Sequence, residues 1–180
     1  AKKLQNGKVA GFVLPQFVQY DDQLAFVKNE YNGVVIESGF ADKQFFYGKG
    51  AGNFPTASAV LSDIAALRYD YKYEYKKLYS SQRASLTTDF YLRTYISFDE
   101  IHDVPKDDFE WLEEWQSGQE RNYFSGVIHF KKLAEKNWWK KNNVSLILFP
   151  EPIIEHIEIR NLKKRSLELA GIFQKNINEF

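Results

Sequence analysis

Tyr47-Gly48-Lys49-Gly50-Ala51-Gly52-Asn53-Phe54-Pro55-Thr56-Ala57-Ser58-Ala59-Val60-Leu61-Ser62-Asp63-Ile64 is where this chain turns from strand to helix. The aromatic run Gln44-Phe45-Phe46-Tyr47 before it reads as a strand. Glycines at alternate positions let the backbone take positive φ and let a ligand approach without meeting a Cβ. Pro55 suits the first turn of a helix, where its missing N–H costs nothing. The amides of that first turn, together with the helix dipole, favour an anion or a polar carbonyl-like group. The spacing is not G-x-G-x-x-G, because counting from Gly48 ends on Asn53 and counting from Gly50 ends on Pro55. No Gly-Lys-Ser/Thr follows, so it is not a phosphate P-loop. A tight connection without a ligand is the bland alternative.

Upstream, the chain reads as short β segments. Residues 8–20 carry Val9, Phe12, Val13, Leu14, Phe17 and Val18, with Pro15 breaking the run into an edge strand or two short strands. Asp21-Asp22 opens a turn or short helix. Asn32-Gly33 is a turn signal. Val34–Ser38 and Lys43–Tyr47 read as strands joined by a turn at Gly39–Asp42, a hairpin that delivers the glycine loop. Downstream of Pro55, Val60, Ile64, Leu67, Tyr71, Tyr75 and Leu78 recur at helical spacing, which predicts a helix to about Tyr79 with one apolar face.

Composition narrows the function classes. The 180 residues suit one domain or two small ones. Basic and acidic residues balance at 24 each, which argues against a general electrostatic grip on nucleic acid. There is no cysteine, hence no disulfide, thiolate metal site or cysteine nucleophile. The three histidines, His102, His129 and His156, lie far apart in sequence, which argues against a metal cluster. No apolar run reaches the length of a membrane span, and no signal peptide is visible, so no membrane partner and a cytoplasmic location are expected. The chain starts at Ala1 and holds no methionine, and it reads as a piece of a longer protein.

Ser80–Ser85 is polar and aperiodic, and a boundary is placed there, dividing the chain into 1–80 and 86–180. Beyond it, Asp89–Phe98 alternates as a strand. Phe109, Trp111, Leu112 and Trp115 suit a short helix over 107–116, ended by Gly118. Tyr123–Phe130 reads as a strand, Leu133–Lys141 as a helix, Val144–Phe149 and Ile153–Ile159 as strands, and Leu162–Phe173 as an amphipathic helix.

Gly-x-Gly-Ala-Gly-x-x-Pro-Thr-Ala-Ser-Ala-Val-x-x-Asp-Ile resembles the segment near the end of the catalytic part of homoserine dehydrogenases. The resemblance extends weakly upstream through Leu14–Val18, Gln23–Val27 and Asn32–Val35, covering roughly residues 8–70. It implies that the full protein interconverts homoserine and aspartate semialdehyde with NAD(P), in threonine and methionine biosynthesis. It implies that the loop borders the nicotinamide cofactor, with Gly52 as the leading backbone contact, Gly50 and Ala51 beside it, and Thr56 either capping the helix or lining the site. Residues 86–180 resemble the ACT-type regulatory module that follows the catalytic part in many members, and Asp89-Phe90-Tyr91-Leu92-Arg93 matches its opening. The fold class expected is therefore α+β: a short antiparallel sheet and long helix, then a ferredoxin-like α/β sandwich. A homo-oligomer is expected. Two departures stand out: Asp99–Lys106 lacks the glycine of the module's effector turn, and one of its strands is hard to find. Nothing matches the family's catalytic lysine or its substrate-binding acids, so this stretch alone is expected to be inactive, with no catalytic residue and no metal ligand assigned. The alternative is a stand-alone small-molecule-binding or oligomerisation module.

The remaining candidates have plain readings. Asp99, Glu100, His102, Asp103, Asp107 and Asp108 could hold a cation or serve acid–base chemistry, but their spacing fits no calcium loop, and a solvated loop is expected. His129 reads as a satisfied core histidine. Lys131, Lys132, Lys136, Lys140 and Lys141 around Trp138-Trp139 read as an amphipathic helix, and Lys163-Lys164-Arg165 as a solvated face. Lys49 offers a cation to a ligand or points to water.

Overall fold

The computed structural model describes residues 1–71, 84–117 and 121–162. It is an α+β structure that divides into two compact units: residues 1–17 with 84–180, and residues 18–83. The chain passes between the two units twice, after residue 17 and after residue 83.

The first unit is built on a four-stranded antiparallel sheet of β5 (Tyr91–Phe98), β6 (Phe109–Ser117), β7 (Asn122–His129) and β8 (Val144–Ile154). The strand order is β6-β7-β5-β8. Every neighbour is antiparallel, so β5 and β6 run alike with β7 between them, and β7 and β8 run alike with β5 between them. These are two interlocked split crossovers, the ferredoxin-like arrangement. Two 3₁₀ turns, Ile101–Asp103 and Lys106–Asp108, take the place of a helix in the first crossover. The second holds α2 (Phe130–Glu135) and a 3₁₀ turn at Trp138–Lys140.

Alternation explains the core. Leu92, Thr94, Ile96 and Phe98 point to one face of β5 and are wholly buried, with Phe90, Phe124, Ile128, Leu133 and Leu148. Burial of each such apolar side chain contributes about 1.5–3 kcal/mol. The one hydroxyl among them, Thr94 Oγ1, donates to the Gly126 carbonyl at 3.1 Å, so no hydrogen bond is lost there. The N-terminal segment joins this core. β1 (Lys2–Lys3) pairs with β2 (Val9–Ala10), Leu4 and Ala10 are buried, and the Phe17 amide donates to the Leu148 carbonyl along the free edge of β8.

Three expectations need correcting here. Of residues 107–116, expected as a helix, 107–108 close a 3₁₀ turn and 109–116 are strand, and β6 is the strand that seemed missing. Its register shifts between Phe109 and Trp111 and again between Leu112 and Glu114. Each bulge breaks the two-residue alternation, leaving Phe109, Leu112 and Trp115 three apart, which imitates a helix. Second, the two strands expected at 144–149 and 153–159 are one. β8 continues through a bulge around Glu151 (φ 50°) to Ile154, and residues 156–162 are helical. Third, the helix over 133–141 begins earlier and is short, since α2 ends at Glu135. The helix expected at 162–173 lies almost entirely outside the described residues.

The second unit holds a 3₁₀ turn at Gln23–Phe26, a hairpin of β3 (Tyr31–Ser38) and β4 (Asp42–Lys49), and α1 (Asn53–Arg68). Asp22 caps the turn, its Oδ1 accepting from the Leu24 amide at 2.9 Å. Asn32-Gly33 is not a turn: both residues lie inside β3, opposite Gly48 and Tyr47. Gly33 is needed there because a Cβ would lie 2.7 Å from Val27 and 2.9 Å from Phe45. α1 ends at Arg68, and the segment expected to extend it to Tyr79 lies mostly outside the described residues. Val60, Ile64 and Leu67 on α1 are all more than half exposed.

Candidate functional site

β4 runs into the glycine loop, which is exposed from Lys49 to Phe54. The Gly50 amide donates to the Glu30 carbonyl at 3.3 Å, closing the open end of the hairpin. The space a Cβ would fill at Gly50 is held by the end of the exposed Asn32 side chain, 1.7 Å from that point. Gly52 differs. Its φ of 114° and ψ of 157° fall in a region that essentially only glycine occupies. It is the N-cap of α1 and makes no side-chain cap, and its carbonyl accepts the Thr56 amide at 3.1 Å. Thr56 therefore sits past the cap and does not cap the helix. The amides of Asn53 and Phe54 have no intrahelical acceptor by helix geometry, and Pro55 has no N–H. The exposed loop thus presents, at a helix N-terminus, backbone donors that lack an intrahelical acceptor. Ala51 lies between the two glycines, exposed.

Lys49 is committed elsewhere. Its Nζ lies 2.8 Å from Glu30 Oε1 and 5.3 Å from the centre of the Tyr31 ring. Glu30 and Tyr31 push the Lys49 ammonium up from its ordinary value, and the Lys49 hydrogen bond holds the Glu30 carboxyl down. Tyr31 also stacks on Tyr47, centroids 4.8 Å apart, which fixes the base of the loop.

The acidic and basic clusters of the other unit answer one another. Asp103 is buried and meets Lys141 at 3.2 Å and the Asn143 amide. Asp108, also buried, meets Lys136, and its backbone carbonyl accepts from Lys132 at 3.2 Å. Asp99 pairs with Arg121 at 3.3 Å. Lys140 lies 5.1 Å over the Trp139 ring. Most of these charges tie the 3₁₀ turns to the α2 region.

Histidines set apart in sequence meet in space. Tyr91 of β5 lies opposite His129 on β7 and opposite Ile154 on β8. His156 follows two residues after Ile154, so both imidazoles reach the same end of the sheet. Both ring Nε2 atoms approach Asp89 Oδ1, His129 at 3.1 Å and His156 at 2.8 Å. They hold the Asp89 carboxyl below its ordinary range, His156 contributing more. His129 Nδ1 accepts the Lys131 amide at 3.2 Å and caps α2. Sequence reasoning missed this trio because no spacing signals it; only the strand order brings it together.

The glycine loop and its helix coincide with a known family. Residues 3–65 match the homoserine dehydrogenase family model. A homoserine dehydrogenase from Mycobacterium leprae is 44% identical over 57 residues, 32% of this chain and 13% of that protein. The Synechocystis homoserine dehydrogenase is 46% identical over 52 residues, 29% of this chain and 12% of that one. The Corynebacterium glutamicum homoserine dehydrogenase is 39% identical over 56 residues, 31% of this chain and 13% of that one. The chain thus spans only a small part of the length of the homoserine dehydrogenases it matches. The matched residues are shared between the two units, since 3–17 pack with the C-terminal sheet. Among the described residues, no helix is long and apolar enough to cross a membrane.

Proposed function

We propose that this chain is a C-terminal portion of a homoserine dehydrogenase, whose full length performs the NAD(P)-dependent interconversion of homoserine and aspartate semialdehyde in threonine and methionine biosynthesis. The observation that carries the reading is Gly52. It lies in the family-matched stretch, in a glycine-only conformation, at an exposed helix N-terminus. In this reading the Gly50-Ala51-Gly52 backbone faces the nicotinamide cofactor, with Thr56 on the first turn beside it. The donor amides there suit a polar or anionic cofactor group. The rest of the cofactor pocket and the proton-transfer groups lie in other parts of the enzyme, so the portion alone is not catalytic.

Gly52→Val in the full-length enzyme is expected to raise the KM for the cofactor by about tenfold or more, equivalent to about 1.4 kcal/mol. The strain of the substitution is separated from ligand occlusion by measuring Tm alongside and by comparing Gly48→Val, whose Cβ meets open space. Unchanged cofactor kinetics in Gly52→Val would remove the loop from the site.

The strand order of the C-terminal sheet supports a second element of the proposal, an ACT-like module serving oligomerisation in a cytoplasmic homo-oligomer. Amino-acid sensing is less well supported. The turn after β5 has no glycine and is anchored by the buried Asp103 and Asp108. A flat calorimetric titration with threonine and methionine is expected. Measurable binding to this chain would favour the alternative, a stand-alone small-molecule-binding module.

A further inference from the structure

We propose that Asp89, His129 and His156 form a binding site for one divalent transition ion of the zinc class. The site is independent of the glycine loop and lies wholly within the unit of residues 1–17 and 84–180.

Two imidazoles and one carboxylate are a ligand set that zinc accepts with a fourth position left for water. Such nitrogen-rich sets select the later first-row divalent ions over magnesium and calcium. The candidate ligand atoms all lie within 4.8 Å of one another. The two Nε2–Oδ1 separations, 3.1 and 2.8 Å, fall just short of the roughly 3.3 Å between ligand atoms around a tetrahedral ion with bonds of about 2.0–2.1 Å. A slight spreading of the trio therefore makes room for the ion.

The ligands stand on rigid supports. Asp89 precedes β5, His129 ends β7, and His156 follows β8, the two strands hydrogen-bonded to either side of β5. The Tyr91 ring stands edge-on to both imidazoles, at 4.7 Å and 89° from His129 and at 5.1 Å and 80° from His156. It limits how far either ring turns. Beside the trio opens a cavity of about 380 Å³ bounded by Gln5, Asn6, Glu155 and the Asp89 and His156 side chains, with space for the water of the fourth position. Glu155 on its wall adds negative charge, although one of its oxygens already accepts the Gln5 amide at 2.9 Å.

Coordination asks one rearrangement of the protein. His129 Nδ1 accepts the Lys131 amide, so the ring proton sits on Nε2, the atom that must bind the ion. On binding through Nε2, the neutral ring carries its proton on Nδ1 instead, and the cap contact to Lys131 opens. Affinity is therefore lower than for a preformed structural zinc site.

The test uses the untagged 180-residue chain, stripped of metal and titrated with Zn²⁺ in a calorimeter, with Co²⁺ absorption as the reporter of geometry. One Zn²⁺ per chain and a tetrahedral Co²⁺ spectrum are expected. His156→Ala, at a half-exposed position, is expected to weaken binding by about tenfold or more, and Asp89→Asn, which keeps the shape and one acceptor oxygen, to do likewise. His102→Ala, outside the trio, should bind as the parent does. Circular dichroism establishes that each variant is folded. Absence of Zn²⁺ uptake, or uptake unchanged in both His156→Ala and Asp89→Asn, overturns the proposal.

Discussion

Phe124 and Ile64 are both apolar residues in regular secondary structure, with opposite fates. Phe124 is wholly buried, in ring contact with Phe98, Phe109 and Trp115. Ile64 is 57% exposed, and among the described residues 18–71 none is buried. The C-terminal sheet closes a core with its own α2 and the N-terminal segment. The hairpin and α1 place their apolar residues in a regular pattern but bury none of them. A lone two-stranded hairpin is marginal in water, and so is an isolated helix of this length. Local sequence is therefore enough to specify strand, glycine loop and helix, while their stability has to come from cover outside the described residues of that unit.

The largest expected effect tests the buried side of this contrast. Phe124→Ala should cost about 3–5 kcal/mol in denaturant unfolding, because it removes a ring from a closed core. Leu67→Ala, at a position 74% exposed, should stay within about 0.5 kcal/mol. Comparable losses would mean that α1 is covered in solution by the chain itself.

Glycines sharpen the contrast at a smaller scale. A Cβ at Gly126 would lie 2.9 Å from the Trp111 carbonyl oxygen across the β6–β7 pair. Gly126→Ala should therefore cost about 1–3 kcal/mol by overpacking. Gly48→Ala meets nothing within 4 Å and should change stability by less than about 0.5 kcal/mol.

The exposed face of α1 predicts concentration-dependent association, since apolar patches of this kind seek cover. Ile64→Lys should lower the weight-average mass in sedimentation at high concentration without changing the circular dichroism. An unchanged mass would place the association surface elsewhere.

The smallest effect concerns acid. Lys49 holds the Glu30 carboxyl below its ordinary value, so the pair favours the folded loop at neutral pH, and that contribution is lost as the pH falls through the lowered folded value. The Glu30 carboxyl resonance should titrate at lower pH in the parent than in Lys49→Met. Equal midpoints would show that the pair does not persist in solution.

Legibility from sequence followed the same division. The hairpin, the loop and the start of α1 were readable because each depends on neighbouring residues: Asp42 to turn, Gly52 to adopt its φ, Pro55 to start the helix. In the C-terminal unit β5 was readable from its alternation, but β6 was not, because two bulges shift Phe109, Leu112 and Trp115 into helical spacing. Asn32-Gly33 misled because the glycine answers to Val27 and Phe45, contacts that a two-residue motif does not contain. The meeting of His129 and His156 depends on strand order, which no local pattern encodes.

The pairing of Val9 with Leu86 carries a consequence for the order of events during synthesis. The Val9 amide donates to the Ser85 carbonyl and the Thr87 amide to the Val9 carbonyl. Leu4 and Ala10 leave the ribosome long before β5, β7 and β8, the strands whose core they join. They cannot take their places in that core until the whole intervening segment is made, and domains generally fold as they emerge. The C-terminal sheet is therefore completed by an early-made strap returning to a late-made scaffold, and a chain cut at residue 80 would leave that scaffold without the strap.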